Sequence, residues 1–407
     1  MTAHVLFLST VLTQERLSWI EETIKYNYQE IQAKASGNAA SIPAGFAIFL
    51  TGDSLYSLSD AESQNTWLSI LALPRITLIC DGDAQEIRGI SLTPLKERFP
   101  DQVHECMSDS PKSSASFWER VVTHAIEGSV STHIGWLQIS SPYMFPSAEY
   151  GIQCLFAALD LKCGITLCAY LDGCHIGHTG QNPGSTESIG AALEELGKRA
   201  AEKSLPCMLL VDRDSAGARG YVSWDDGLGT FGSLCMIKPV RIRSSDVLAR
   251  QIGSIPVLLS ENAGSIQYSS PGQPDNSPQI NSIVILITHS PYTTEHAYGG
   301  IAIAAACAHQ GITTRVVFLE EGVLALTGDQ RVPAGSEMYT LPELIAYLSR
   351  DKNLQISALT TSFHMRGISK HGTFAHVKDI DFSGLSSILF GSPDTSGKCN
   401  HQHILFF

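Results

Sequence analysis

The feature that most constrains the fold is a frame that occurs three times along the 407 residues. In each copy an apolar strand is followed, at a nearly constant distance, by an Arg-Gly pair. The separations are 84, 86 and 84 residues for the pairs His4 and Arg88, His133 and Arg219, and Ser282 and Arg366. A fixed offset of this kind indicates internal triplication. We call the three copies the first, second and third repeats.

Other motifs support this alignment, most clearly between the second and third repeats. SPYMFPSAEYG begins at Ser141 and SPYTTEHAYGG at Ser290, and both are followed by an apolar GIT strand. A Gly-Thr-Phe triplet follows each Arg-Gly pair, at Gly229 and at Gly372. The first repeat has the strand and turn IFLTGD from Ile48 but no Ser-Pro-Tyr, so it is the most divergent copy.

The order of elements within a repeat predicts an α/β fold. In the third repeat the strand SIVILIT precedes an Ala-rich helical segment that ends at Gly311, and the strand TRVVFLE follows. Glycine after an Ala-rich segment is a helix stop signal, and Val/Ile runs that alternate with helices are typical of parallel sheets covered on both faces. We therefore expect three tandem small three-layer α/β/α domains with mainly parallel sheets.

Composition sets the expected domain boundaries. The segment 264–280 is rich in Ser, Gly, Pro and Gln and has little to bury, so it is predicted to be a linker. The expected domains are 1–128, 129–263 and 281–407. Each length is ordinary for a small domain.

The charge and hydropathy of the chain exclude several classes of partner. A net charge of −13 and a pI near 5.5 argue against direct nucleic-acid binding, which requires a concentrated basic face. No apolar run approaches the roughly 18 residues needed to span a bilayer, and the first residues resemble a strand rather than a signal peptide. The expected location is the cytoplasm, and most of the ten cysteines are expected to be reduced packing residues.

Cys80 is the candidate catalytic residue. It lies between the strand ITLI and a helical segment that ends at Arg88, and the carboxyl end of a strand in an α/β sheet is a common place for functional groups. A helix N-terminus favours a thiolate, whereas the neighbouring Asp81 and Asp83 oppose it. The alternative from the residues alone is a buried cysteine that only packs.

Metal and cofactor sites are not expected. Cys174, His175 and His178 are close in sequence, but their spacing matches no familiar zinc site. The tail residues Cys399, His401 and His403 would share one face of a strand, and a polar cluster is the preferred interpretation over a metal site. No glycine-rich loop has a nucleotide-binding spacing, so no cofactor is predicted.

These motifs resemble the DsrE/DsrF-like family, which includes the TusBCD and DsrEFH sulfur-relay complexes. The resemblance rests on the strand, Cys, short helix and Arg-Gly-Ile of the first repeat, on SPYTTEHAYGG, GITTRVVFLEEGV and LTGDQ in the third, and on the chain end HILFF. It extends over the whole chain, and the third repeat is most similar to the DsrF/TusC type. The resemblance implies small α/β domains that assemble into oligomers.

The resemblance also implies a function, in which a cysteine receives sulfane sulfur as a persulfide and passes it on. By position this role falls on Cys80, while Val211 and Ala358 occupy the equivalent places in the other repeats. The exchange chemistry needs an accessible thiolate and a docking surface for donor and acceptor.

Candidates to stabilise the persulfide anion are the backbone N–H groups of Gly82 and Asp83 at the helix start, together with Arg88. Arg88 has an alternative role as a cation at the helix C-terminus, because the arginine recurs in repeats that lack the cysteine. The expected partners are sulfur-carrier proteins of the TusA and DsrC/TusE types, and two chains are expected to pair into a pseudo-hexamer of domains. The alternative function is a non-catalytic scaffold that docks partners.

Overall fold

The structure is a computed structural model. It describes residues 3–35, 45–107, 116–127, 132–181, 183–184, 188–223, 232–233, 236–267, 280–291, 294–327, 340–368, 376–391 and 399–407.

The first repeat begins with a strand and a long helix and then alternates strands and helices. Its elements are β1 (Ala3–Leu8), α1 (Gln14–Ala35), β2 (Gly45–Leu50), the 3-10 helix η1 (Gly52–Leu58), α2 (Ala61–Leu71), β3 (Ile76–Asp81), α3 (Gly82–Ile87), α4 (Thr93–Arg98), β4 (Val103–Cys106) and α5 (Phe117–Ile126).

The second repeat follows the same order, with an added hairpin of two short strands. Its elements are β5 (His133–Gln138), α6 (Ser147–Asp160), β6 (Gly164–Ala169), the 3-10 helix η2 (Leu171–Gly177), α7 (Ile189–Glu202), β7 (Cys207–Asp212), α8 (Arg213–Ala218), β8 (Val222–Ser223), β9 (Gly232–Ser233), β10 (Val240–Arg243), α9 (Ser245–Ser254), β11 (Val257–Leu259) and β12 (Asn262–Gln267).

The third repeat repeats the order again and closes with a long strand. Its elements are β13 (Ile280–Ile287), α10 (His296–His309), β14 (Thr313–Phe318), the 3-10 helix η3 (Glu320–Leu326), α11 (Leu341–Leu348), β15 (Leu354–Leu359), α12 (Thr360–Met365), β16 (Lys378–Ile380), α13 (Phe382–Phe390) and β17 (Cys399–Phe406). Gly311, with φ of 80°, follows the end of α10, as the sequence predicts.

Two large sheets carry most of the strands. A ten-stranded sheet has the order β16-β15-β14-β13-β17-β12-β1-β2-β3-β4, and a five-stranded sheet has the order β10-β7-β6-β5-β11. Pairing within them is parallel except where β12 joins β1 on one side and β17 on the other. The fold is therefore a mixed α/β structure with mainly parallel sheets.

Strand β12 connects the first and third repeats into the one ten-stranded sheet. On one side β12 pairs antiparallel with β1, from His4 to Leu8. On the other side it pairs antiparallel with β17, which in turn pairs parallel with β13. Four residues of the predicted linker, 264–267, are part of β12 and are buried, and Ile280 already belongs to β13. Both ends of the segment predicted as a linker therefore lie in strands, because strand pairing to a distant partner is not visible in local composition. Residues 268–279 lie outside the described residues, and the predicted domain boundaries stay a prediction.

The five-stranded sheet and its helices pack against one face of the ten-stranded sheet. Phe7 of β1 contacts Trp118 of α5 and Trp136 of β5, with ring centroids 5.6 and 5.9 Å apart. The opposite face is covered by α1, α2 and α13, through residues such as Trp67 and Leu385. Each half of the large sheet is thus buried on both sides, as expected for parallel strands. Among the described residues, no helix is long and apolar enough to cross a membrane.

Candidate functional site

Cys80 lies at the carboxyl end of β3, as predicted, but its side chain is in the interior. Its exposed fraction is 0%, and it packs in the apolar layer with Ile76 and Leu78, which share its face of the strand. Burial raises the pKa of the Cys80 thiol far above its ordinary value, and the neighbouring Cys106 and Glu105 act in the same direction. In this conformation Cys80 is an enclosed packing residue, and its surroundings disfavour the thiolate.

Asp81 occupies the start of α3, where the persulfide anion was expected. Its carboxylate accepts a hydrogen bond from the backbone N–H of Ala84 at 3.2 Å and another from the Thr51 hydroxyl at 2.6 Å. Burial raises the pKa of Asp81 and outweighs the opposing effect of the Thr51 hydrogen bond. The helix start is therefore capped by the protein's own carboxyl group.

Gly82 and Asp83 begin α3 and have structural roles there. A Cβ added at Gly82 would approach Met107 Sδ closely and would lie 3.0 Å from the Cys106 carbonyl oxygen, so a side chain there would require the Met107 side chain to move. Asp83, in the first turn of α3, carries a charge that raises the pKa of Asp81 further.

Arg88 is the C-cap of α3, and its side chain is 17% exposed. It donates to the Ala84 carbonyl at 3.2 Å and to Asp53 Oδ1 at 3.0 and 3.3 Å, and it lies 6.0 Å from the ring centre of Tyr56. These bonds hold η1 against α3. This position matches the alternative role of Arg88, in which a cation at the helix C-terminus donates hydrogen bonds to carbonyl groups of the last turn.

The arginines of all three Arg-Gly pairs have the same local geometry. Each donates to the carbonyl four residues earlier, at 3.2, 3.2 and 3.1 Å for Arg88, Arg219 and Arg366. Arg219 and Arg366 also bind a carboxylate from a different repeat: Glu295 at 2.6 Å and Glu15 at 2.8 Å. In the second and third repeats the arginine therefore joins two repeats, a role that the sequence interpretation missed, whereas Arg88 stays within the first repeat.

A second recurring contact lies just after the second strand of each repeat. Gly52, Leu171 and Glu320 all have positive φ, between 50° and 57°. Gly52 approaches Tyr150 of the second repeat, Leu171 approaches Gly299 of the third, and Glu320 binds Trp19 of the first. The three contacts run from the first repeat to the second, from the second to the third, and from the third back to the first.

The contact at Glu320 is the most buried of the three. Its carboxylate accepts two bonds from Arg16, at 2.8 and 2.7 Å, and one from Trp19 Nε1 at 2.9 Å. The Arg16 and Glu320 side chains are only 8% and 7% exposed. The Glu320 carboxylate therefore has hydrogen-bond donors for both of its oxygens. Removal of Glu320 or Arg16 would leave the other charge buried without a counter-charge.

All three repeats contribute to a cavity of about 510 Å³ beside this pair. It lies past the carboxyl ends of β1 and β13, and its lining includes Ser9, Arg16, Ser147, Glu261, His289 and Glu320. Burial raises the pKa of Glu261, whose carboxylate accepts hydrogen bonds from the Ser140 hydroxyl. The cavity walls are held mainly by hydrogen bonds and ion pairs within the protein.

The predicted absence of a metal site stays a prediction, but the geometry accounts for several of the candidate ligands. Among the described residues no group of three or more His, Cys, Asp or Glu side chains could hold a metal ion. His403 is buried, with Nε2 2.9 Å from the Ile255 carbonyl oxygen, and burial lowers the pKa of His401 to about 4 and of His403 to about 3. The Cys399 side chain lies outside the described residues. His175 and His178 both contact the Tyr221 ring.

Comparison with known proteins identifies one part of the chain. Residues 281–390 match the DsrE/DsrF-like family. No curated protein matches the chain. Among solved structures, the ychN protein from E. coli aligns over all of its own length and 31% of this chain, with 19% identity and a TM-score of 0.26.

The matched segment, 281–390, is most of the third repeat, and position 358 in it is alanine rather than cysteine. Its one cysteine, Cys307, is buried in α10, and burial raises the pKa of that thiol to about 12. DsrE-like proteins are generally associated with sulfur relay. Residues 281–390 of this chain are thus similar to the DsrE/DsrF-like family but carry no accessible thiol.

Proposed function

We propose that this chain is a partner-docking component of a sulfur relay, built from three DsrE-like repeats that together imitate a trimer. The observation that carries the proposal is the burial of the three equivalent strand-end positions. Cys80, Val211 and Ala358 are 0%, 1% and 0% exposed. A position that is filled by valine and alanine in two repeats and enclosed in all three is a packing position.

The contacts between repeats support the trimer-like part of the proposal. They run in one direction around the three repeats, through Gly52, Leu171 and Glu320, as equivalent contacts do in a cyclic assembly. In this proposal the sulfur-carrier proteins, of the TusA and DsrC/TusE types, dock on the platform, and two chains pair into a pseudo-hexamer. The proposed compartment is the cytoplasm.

The second candidate is a persulfide carrier that uses Cys80 itself. The observation that favours it is the placement of Cys80 at the carboxyl end of β3, one residue before the cap of α3. For this chemistry the thiol would have to reach solvent and lose its proton, because the thiolate is the attacking species. Opening of the layer between β3 and the helices on its face would be required.

Intact mass spectrometry separates the two candidates. The full chain is incubated with thiosulfate and a sulfurtransferase, and mass gain is compared for the native chain, Cys80→Ser and Cys106→Ser, the last being a matched change at another buried cysteine. Docking predicts no sulfur gain that depends on Cys80, and any label on Cys235 or Cys399 is assigned by peptide mapping. A gain of one sulfur atom that is lost only in Cys80→Ser would contradict the docking proposal and establish the carrier.

Binding to carriers is the complementary measurement. Sedimentation of the native chain and of Cys80→Ser with purified TusA-type and DsrC-type proteins should give the same complexes. Loss of complex formation in the serine variant, with an unchanged thermal unfolding profile, would contradict a docking role that is independent of the thiol.

A further inference from the structure

A groove beside the outer strand of the five-stranded sheet has a charge opposite to that of the chain. Its volume is about 750 Å³, and it is lined by parts of α7, β7, β10 and α9. The lining includes four cations and one carboxylate: Lys198, Lys238, Arg241, Arg243 and Glu194. In a chain with a net charge of −13, this concentration of positive charge on one surface indicates an acidic binding partner.

Two of the cations, Arg241 and Arg243, lie on an edge strand of the five-stranded sheet. β10 is the terminal strand, paired only with β7 among the described residues, from Val240 opposite Leu209 to Arg243 opposite Asp212. The residues of β10 alternate, with Val240 and Ile242 half-buried and Arg241 and Arg243 exposed. The outer side of such a strand presents backbone N–H and C=O groups that another strand can pair with.

The pattern of charge selects which strand can pair there. A second copy of β10 would place arginine opposite arginine, which is unfavourable, whereas a strand with alternating acidic residues would place opposite charges together. The two edges of the ten-stranded sheet differ: β4 carries Glu105, which pairs with Lys96, and β16 has Lys378 next to Asp379. Among the strands that the structure describes, β10 combines an exposed edge with two like charges and a groove.

We propose that this groove and the outer edge of β10 bind an acidic, extended segment of a partner protein, which adds to the sheet as a further strand. Backbone pairing to β10 supplies affinity, and carboxylates at alternate positions contact the arginines and the two lysines. The proposal deepens the docking function given above by naming a surface and a partner chemistry, and it does not involve Cys80.

The test uses the full chain and a fluorescein-labelled synthetic peptide of alternating glutamate and valine. Fluorescence anisotropy should show saturable binding that weakens as salt is raised, because part of the attraction is between exposed charges. The double variant Arg241→Glu/Arg243→Glu should bind the peptide at least about tenfold more weakly, which corresponds to about 1.4 kcal/mol. The control, Arg250→Glu/Lys162→Glu, changes two exposed cations of the same repeat outside the groove and should bind as the native chain does.

A second peptide separates strand addition from charge attraction alone. N-methylation of alternate backbone amides removes donors and blocks one edge of the peptide, so it should abolish most of the binding. Equal affinity for the methylated peptide, equal loss in the control variant, or no binding of the acidic peptide to the native chain would each overturn the proposal.

Cys207 provides a local readout, since it lines the groove and is the one described cysteine that is not buried. The acidic peptide should slow alkylation of Cys207, located by peptide mapping, and the methylated peptide should not. Failure of this proposal is distinguishable from failure of the docking function. Sulfur loading on Cys80 would contradict the docking function, but it would not change the binding of the acidic peptide at β10.

Discussion

The ion pair of Arg366, at the junction between the third and first repeats, differs from the ion pair of Arg88, which lies within the first repeat. Arg366 reaches across to Glu15 of the first repeat, and both side chains are mostly enclosed, at 19% and 13% exposed. Arg88 binds Asp53 of its own repeat, and the Asp53 side chain is 52% exposed.

The sequence supplies a reason for this difference. Glu295, which binds Arg219 across repeats, is the N-cap residue of α10, and Pro146 is the N-cap residue of α6. Proline offers no carboxylate, so Arg88 has no charged partner of this kind in the second repeat. The recurring strand and Arg-Gly pair therefore serve mainly to hold the structure together. The cysteine occurs in only one of the three repeats and is not part of the recurring motif.

The largest expected effect is at the third-to-first junction. Glu320→Gln removes the charge that pairs with buried Arg16, and an unpaired buried cation costs about 3–5 kcal/mol. The matched change, Asp53→Asn, removes the exposed partner of Arg88 and should cost about 0–1 kcal/mol. Urea unfolding of the full chain measures both. Equal losses of unfolding free energy in the two variants would contradict the difference described between the Arg16–Glu320 and Arg88–Asp53 ion pairs.

A smaller effect is expected from His403, which lies in β17 where the two halves of the large sheet meet. Its folded pKa is lowered to about 3 by burial, against an unfolded value near 6.5, so the unfolded state binds more protons between these values. Above about pH 6.5 the imidazole is neutral in both states and His403 causes no loss of stability. As the pH falls below this value, the free energy of unfolding decreases by up to about 1.4 kcal/mol per pH unit.

His403→Gln should flatten the dependence of stability on pH in this window. The free energy of unfolding is measured from about pH 7 to pH 4 for the variant and the native chain. The control is His309→Gln at the end of α10, an exposed histidine. An unchanged slope in His403→Gln would contradict the burial of an uncharged imidazole at this position.

The regular elements could be predicted from the sequence because their signals are local. The Ala-rich segment that ends at Gly311 and the apolar strand runs depend on residues close together in the chain, and each Arg-Gly pair follows a short helical segment that is itself local. The antiparallel pairing of β12 could not be predicted in this way, because Gly264 pairs with Leu6 and Ile404, which are far away in sequence.

The sequence indicates that Cys80 lies near the end of a strand, and it leaves open whether the thiol is buried or accessible. Ile76 and Leu78 share its face, and this period of two already indicated an apolar layer around the thiol. Asp81 was a further signal, since Asp before a short helix is a common N-cap and fills the site expected for an anion. The basic groove was missed because its cations come from α7, β10 and the loop before β10, which only the fold brings together.

The rate at which the Cys80 thiol is alkylated in the native chain tests the central claim most directly. Iodoacetamide labelling followed by peptide mapping compares Cys80 with Cys207, in native buffer and in urea. The account predicts that Cys207 reacts first and that Cys80 reacts only when the chain unfolds, with a rate that follows the unfolding curve. Rapid labelling of Cys80 in native buffer, with the fold intact by circular dichroism, would contradict the claim and favour the persulfide carrier.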